Sequence, residues 1–126
     1  MTENNNTFKS SEHLKSRKEI SRVYKNGAPL YSDSFVLFFL KKENQKIHKF
    51  AVSVPKKLFK SAVKRNKIKR RIKESFRLNK SVLYNFSQRT NVFFTIFIIY
   101  KNKELLPYKN INTEMIELLK KLTDNN

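Results

Sequence analysis

The sequence predicts a small single-domain α+β fold, and three observations carry that prediction. Apolar runs at residues 34–40 and 92–100 are too short for helices and rich in β-branched and aromatic types, as strands are. Between them, residues 61–78 repeat apolar side chains at four-residue spacing, the mark of a helix with one buried face. Met115, Ile116, Leu118, Leu119 and Leu122 make the apolar face of a closing helix that starts near Asn112. The two strand signals exclude a helix bundle, and 126 residues suffice for one modest core.

Taken in order, residues 1–12 are polar and aperiodic and read as a flexible N-terminal tail, followed by one domain over residues 13–123 and a C-terminal tail at 124–126. The first helix begins near Ser16. Ser16 with Glu19 fits a capping box, Ile20, Val23 and Tyr24 follow at helical spacing, and Asn26 with Gly27 predicts a left-handed stop that Pro29 reinforces. In the strand at 34–40, Phe35, Leu37 and Phe39 point one way and Val36, Phe38 and Leu40 the other, so both faces are apolar. A hairpin-like loop at 41–46 leads into 47–54, where alternation of Phe50, Val52 and Val54 with Ala51 and Ser53 predicts a half-buried antiparallel strand ended by Pro55. Residues 79–91 carry few apolar anchors (Val82, Leu83, Phe86) and read as an irregular connection. The run at 92–100 is the strongest strand signal and is expected to be central, with the basic helix crossing over to it.

The basic helix holds the densest charge in the chain. Ile68, Ile72 and Phe76 line one side. At about 100° per residue, Asn66, Arg70, Lys73 and Arg77 share a narrow sector roughly 180° away. Cations at three- and four-residue spacing repel, and only Glu74 offers a nearby opposite charge, so the negative charge must come from a partner. The whole chain carries 28 Lys and Arg against 10 Asp and Glu, a net charge of +18. Such an excess points to a polyanion, and a nucleic acid backbone fits better than a membrane because the basic segment lacks the bulky apolar face of an interfacial helix. The absence of cysteine excludes disulfides and thiolate metal sites. His13 and His48 have no ligand-spaced partner and read as ordinary surface imidazoles. No segment reaches the length of a membrane span, and the N-terminus lacks the features of a signal peptide, so a cytoplasmic location is expected.

Lys56-Lys57, Ala62, the run from Arg65 through Asn66, Lys67, Ile68 and Lys69 to Arg70, and Glu74-Ser75-Phe76-Arg77 together resemble the protein subunit of bacterial ribonuclease P. That family carries a lysine pair after a strand, then an Arg-Asn-Arg signature helix ending in Glu-x-Phe-Arg. The likeness spans about residues 14–122. Two positions depart from it. Lys67 replaces the signature's second arginine, keeping charge without the bidentate geometry of a guanidinium. Lys60 or Ser61 stands where many members have glycine.

The resemblance implies a ribosomal protein S5 domain 2-like fold, with a central, mainly antiparallel four-stranded sheet and about three helices in α-β-β-β-α-β-α order. It implies a basic protein cofactor in a ribonucleoprotein that removes the 5′ leader from precursor tRNA. The chemistry would reside in the partner RNA, with Mg²⁺ held mainly by that RNA and no catalytic or metal-binding residue in this chain. Lys56, Lys57, Arg65, Asn66, Lys67, Lys69 and Arg70, together with Lys64, Lys73 and Arg77, would contact the catalytic RNA. Ile20, Tyr24, Phe35 and Phe38 would form a cleft for the single-stranded leader, where stacking accepts any base. Neither membrane nor DNA is implied as a partner. A structural RNA-binding protein of the ribosomal type would share the charge and the lack of a catalytic constellation; the ordered signature favours the ribonuclease subunit. A helix-turn-helix DNA binder would need a short second helix where strand signals stand.

Overall fold

The computed structural model describes residues 10–42 and 45–126, Ser10 through its backbone alone. The described elements begin with a 3₁₀ turn (Ser10–Glu12) and α1 (Arg17–Asn26). Strands β1 (Ala28–Tyr31), β2 (Phe35–Lys42) and β3 (Lys49–Ser53) follow, then α2 (Ala62–Asn79), α3 (Ser81–Thr90), β4 (Phe93–Tyr100) and α4 (Tyr108–Asp124). The four strands form one sheet in the order β1-β2-β4-β3. β1 pairs with β2 and β2 with β4 antiparallel, whereas β3 pairs with β4 in parallel.

Strand β4 is central, as its composition predicts, and buried over most of its length. β3 corrects the expectation of antiparallel pairing. It does not fold back on β2; the chain crosses through α2 and α3 and returns as β4 on its far side, the connection a parallel pair requires. Pro29 is accommodated because β1 is an edge strand, where a missing N–H costs no ladder bond. The opposite edge is partly covered: Leu14 N donates to Phe50 O at 2.9 Å, and His13 bridges Phe50 in parallel.

Strand alternation splits the apolar residues between two layers. Phe35, Leu37, Ile96, Ile98 and Phe50 join Ile68, Ile72 and Phe76 of α2, Leu83 and Phe86 of α3, and Ile111, Met115, Leu118, Leu119 and Leu122 of α4 in the main core. Phe50 stacks on Phe76 with ring centroids 4.1 Å apart. On the other face, Leu14, Val23 and Phe97 form a smaller cluster under α1, bordered by Ile20, Phe38, Leu40, Ala51 and Ile99. The domain is thus α1 on one side of the sheet and α2, α3 and α4 on the other.

Four local readings change. Residues 81–90 form helix α3 rather than an irregular connection, so the described residues hold four α-helices. α2 ends where the Asn79 side chain donates to Ser75 O (2.8 Å) and to Asn112 Oδ1 (2.8 Å), and Asn91 stops α3 at φ 59°. α4 starts four residues early, at Tyr108 after Pro107, and its Ile116 faces solvent. Gly27 is extended, not left-handed. It is glycine because a Cβ there would lie 2.4 Å from Val23 O and 2.9 Å from Phe39 O, where α1 runs directly into the sheet.

Ser10–Glu12, within the expected tail, form a 3₁₀ turn against the domain. Glu12 is buried, its carboxylate accepting from Lys80 Nζ at 2.7 Å and from the Tyr84 hydroxyl. Residues 1–9 of the expected tail lie outside the described residues. His48 is likewise no surface imidazole but is fully buried. Its Nδ1 accepts from Phe94 N (3.0 Å), which leaves Nε2 to carry the proton toward Ser87 Oγ (2.9 Å). Burial foremost pushes its pKa down to about 4, with the Lys80 charge adding to the effect.

Candidate nucleic-acid interface

The cationic ridge is built by the two faces of α2. Ser61 caps the helix, its Oγ accepting from Lys64 N at 3.3 Å, and Ile68, Ile72 and Phe76 are all 0 % exposed. Full burial of each such side chain is worth about 1.5–3 kcal/mol, so the rotation of the helix about its axis is fixed. The opposite sector must then face water: Lys64, Asn66, Lys67, Arg70 and Lys73 are exposed, with Arg65, Lys69 and Arg77 half-buried at its margins.

Two of these residues have duties inside the chain. Arg65 Nη1 donates to Phe59 O (2.8 Å) and Lys60 O (3.0 Å), tying the 56–60 segment to the start of α2. Phe59 is buried, and Leu58 N bonds Pro55 O at 3.1 Å, so the segment is a turn that holds the exposed Lys56 and Lys57 near the ridge. Arg77 makes a two-point contact with Glu74, Nε to Oε1 at 3.0 Å and Nη2 to Oε2 at 2.6 Å. That contact holds the Glu74 carboxyl below its ordinary pKa, so the helix's one acid stays charged but matched. Arg71 points elsewhere, donating to Leu106 O at 2.6 Å and bracing α2 against the loop before α4.

The second surface is the sheet face under α1. Tyr24 is 53 % exposed and meets Phe38 edge-on, with centroids 5.2 Å apart, while Ile20 and Phe38 are half-buried beside it. These three residues come together as the resemblance implies. Phe35 does not join them. It is 0 % exposed in the main core, opposite Tyr100 on β4, because it lies three positions from Phe38, an odd offset that alternation sends to the other face. Val36, Phe97 and Ile99 share the face of Phe38 instead. The parity was visible in β2 itself and could have identified Val36; Phe97 and Ile99 join through the pairing of β4.

Among the described residues no three His, Cys, Asp or Glu side chains come close enough to hold a metal ion. Several described carboxylates hold the fold together. Glu12 pairs with Lys80, Glu19 lies 3.7 Å from Lys49, and Glu114 accepts from Ser32 Oγ, Ser34 N and Ser34 Oγ at 2.6–2.8 Å. Among the described residues no helix is long and apolar enough to cross a membrane.

With this geometry in place, comparison of the sequence with protein families is decisive: the profile described as Ribonuclease P matches residues 8–123. The chain belongs to the ribonuclease P protein family. It is 36 % identical over 108 residues to the ribonuclease P protein component of Clostridium botulinum strain 657, covering 86 % of this chain and 91 % of that one. With the ribonuclease P protein component of Porphyromonas gingivalis it shares 33 % over 117 residues, covering 91 % and 85 %. The solved ribonuclease P protein of Staphylococcus aureus superimposes with a TM-score of 0.74 at 27 % identity, over 88 % of this chain and 94 % of that one. That of Thermotoga maritima gives 0.71 at 27 % identity, over 87 % and 96 %. The mixed four-stranded sheet with its helices is therefore the ribonuclease P protein fold, and the chain is the protein subunit of that endoribonuclease, a basic protein with an RNA partner.

Proposed function

We propose that the α2 ridge and the Lys56–Lys57 turn bind the catalytic RNA of ribonuclease P, and that the α1 face of the sheet holds the 5′ leader of precursor tRNA. The observation that carries the reading is the division of α2: a stripe buried to 0 % exposure and, opposite it, a run of cations with a single carboxylate already matched to Arg77. Phosphates neutralise such a ridge and release counterions as they do so. Lys56, Lys57, Lys64, Asn66, Lys67, Lys69, Arg70 and Lys73 are the contacts. Arg65 and Arg77 contribute from the margins of the ridge, alongside their contacts within the chain.

Leader binding rests on Ile20, Tyr24 and Phe38, a half-open apolar surface with one exposed ring. Among the described residues no three carboxylates or imidazoles gather, a poor donor set for Mg²⁺, which wants octahedral oxygen ligands. The metal ions that serve the hydrolysis are held mainly by RNA phosphates, and this chain screens charge and positions substrate. The protein works in the cytoplasm, where precursor tRNA is made.

The test is reconstitution. The protein, the cognate catalytic RNA and a precursor tRNA are mixed at low Mg²⁺, and cleavage is compared with RNA alone. Stimulated release of the leader is expected. Equal rates with and without protein would refute the assignment of this chain's role.

A further inference from the structure

The leader cleft as described ends at Tyr24 and Phe38, yet the same sheet face continues to the β1 edge. Tyr31 lies opposite Val36, and Val36 opposite Ile99, so these three side chains form the next row on the face that carries Phe38 and Phe97. Tyr31 is one strand over and two residues along from Phe38, a step of about 8 Å by strand and sheet spacing. Lys101 follows two residues beyond Ile99 of β4, in the next row of the same face. Its backbone N bonds Ser34 O at 2.7 Å, extending the ladder, and its Nζ sits 5.1 Å from the centroid of the Tyr31 ring.

Among the described residues the large hydrophobic side chains with substantial exposure include two aromatics, Tyr24 at 53 % and Tyr31 at 60 %. Both stand on this one face. An exposed ring on an edge strand costs apolar surface in water, and a cation placed over it combines a stacking platform with a phosphate-sized positive charge. We infer that Tyr31 and Lys101 form a second nucleotide station of the leader cleft, Tyr31 stacking one base of single-stranded RNA and Lys101 meeting the adjoining phosphate. The inference rests on the reading of the α1 face as the leader site and extends it across β1. Recognition at the station is indifferent to base identity, because every base has a π-face.

The test uses holoenzyme and a set of precursor tRNAs in which a single abasic nucleotide is moved along the leader. Equilibrium affinity is measured for wild type, Tyr31→Ala, Tyr31→Phe, Lys101→Met and Tyr24→Ala, each checked for unchanged melting; Tyr31→Leu replaces the alanine variant if that one destabilises β1. Tyr31→Ala is expected to lose roughly 5- to 160-fold on intact leaders. The loss should vanish when the abasic position is the one that Tyr31 stacks, next to or near the position at which the Tyr24→Ala loss vanishes. Tyr31→Phe should bind as wild type, and Lys101→Met should lower the salt slope by about 0.7. If Tyr31→Ala binds every leader as wild type does, or loses equally on mature tRNA, the station is wrong while a leader-coupled Tyr24 leaves the cleft standing. If neither tyrosine couples to any leader position, cleft and station fall together.

Discussion

Lowering the pH from 7 to 4 should strip the protein of about 3 kcal/mol of stability through one side chain, His48. The ring is closed in by Tyr84, Phe93 and Phe94, with centroids 4.5–5.7 Å away. Its Nδ1 already faces the Phe94 N–H, so a proton added there would set donor against donor. Burial lowers the pKa from 6.5 to about 4. In the unfolded chain the imidazole titrates at its ordinary value, so below pH 6.5 the unfolded state takes up a proton that the folded state refuses. Stability is therefore complete above about pH 6.5 and drains as pH falls toward 4. At 1.36 kcal/mol per tenfold change in proton affinity, the drop sums to about 3 kcal/mol, a large share of the 5–15 kcal/mol typical of a domain.

The assay is urea unfolding at several pH values for wild type and His48→Asn. Asparagine can still accept from Phe94 N but does not titrate, so general acid effects cancel in the comparison. Wild type should lose about 3 kcal/mol more than the variant between pH 7 and pH 4. Parallel curves would refute the buried neutral imidazole.

Three further outcomes are expected. Arg70→Ala, which removes an exposed cation with no structural duty described for it, should weaken binding to the catalytic RNA and lower the salt slope by about one, measured by filter binding across a salt series. Sulfate at ten times its dissociation constant from the α2 ridge should stabilise the free protein by about 1.4 kcal/mol, seen as a higher melting temperature than in chloride of equal ionic strength. Gly27→Ala should cost about 1–3 kcal/mol in urea melts, because its new methyl meets backbone oxygens of Val23 and Phe39 that cannot rotate away.

Local periodicity made some of this structure legible and long-range pairing hid the rest. The α2 ridge could be read because cap, apolar stripe and charge sector all repeat within one helix. The Ser16 cap of α1 was equally local, with its Oγ accepting from Glu19 N at 3.3 Å. α3 was hidden because its buried anchors are only Leu83, Phe86 and Ser87 and no side chain caps its start. The alternation in β3 looked antiparallel for a simple reason: β3 is an edge strand, and its partial exposure, not strand direction, set its pattern. His48 and Glu12 gave no sequence signal at all, since their partners, Phe94, Ser87, Lys80 and Tyr84, lie 36 to 72 residues away. Of the cleft residues the resemblance implies, Tyr24 and Phe38 lie side by side on the α1 face, whereas Phe35 is buried in the main core, as the alternation of its own strand dictates.

The sheet order has a consequence for how the chain is made. β2 and β3 are neighbours in sequence but not in the sheet, and the strand that joins them comes last: His48 and Phe94, which bond across the β3–β4 seam, are 46 residues apart. A ribosome that has released β3 has not yet released the strand it pairs with. The β1–β2 hairpin can close early, but the rest of the sheet waits for β4, and by then the whole of α2 is already outside the exit tunnel without its core. For that interval the most basic segment of the chain is an unshielded polycation beside ribosomal RNA, and non-local pairing of this kind is slow. An RNA that captured α2 during synthesis would hold the ridge before the domain exists to present it, so the order of assembly with RNA and of folding need not be sequential.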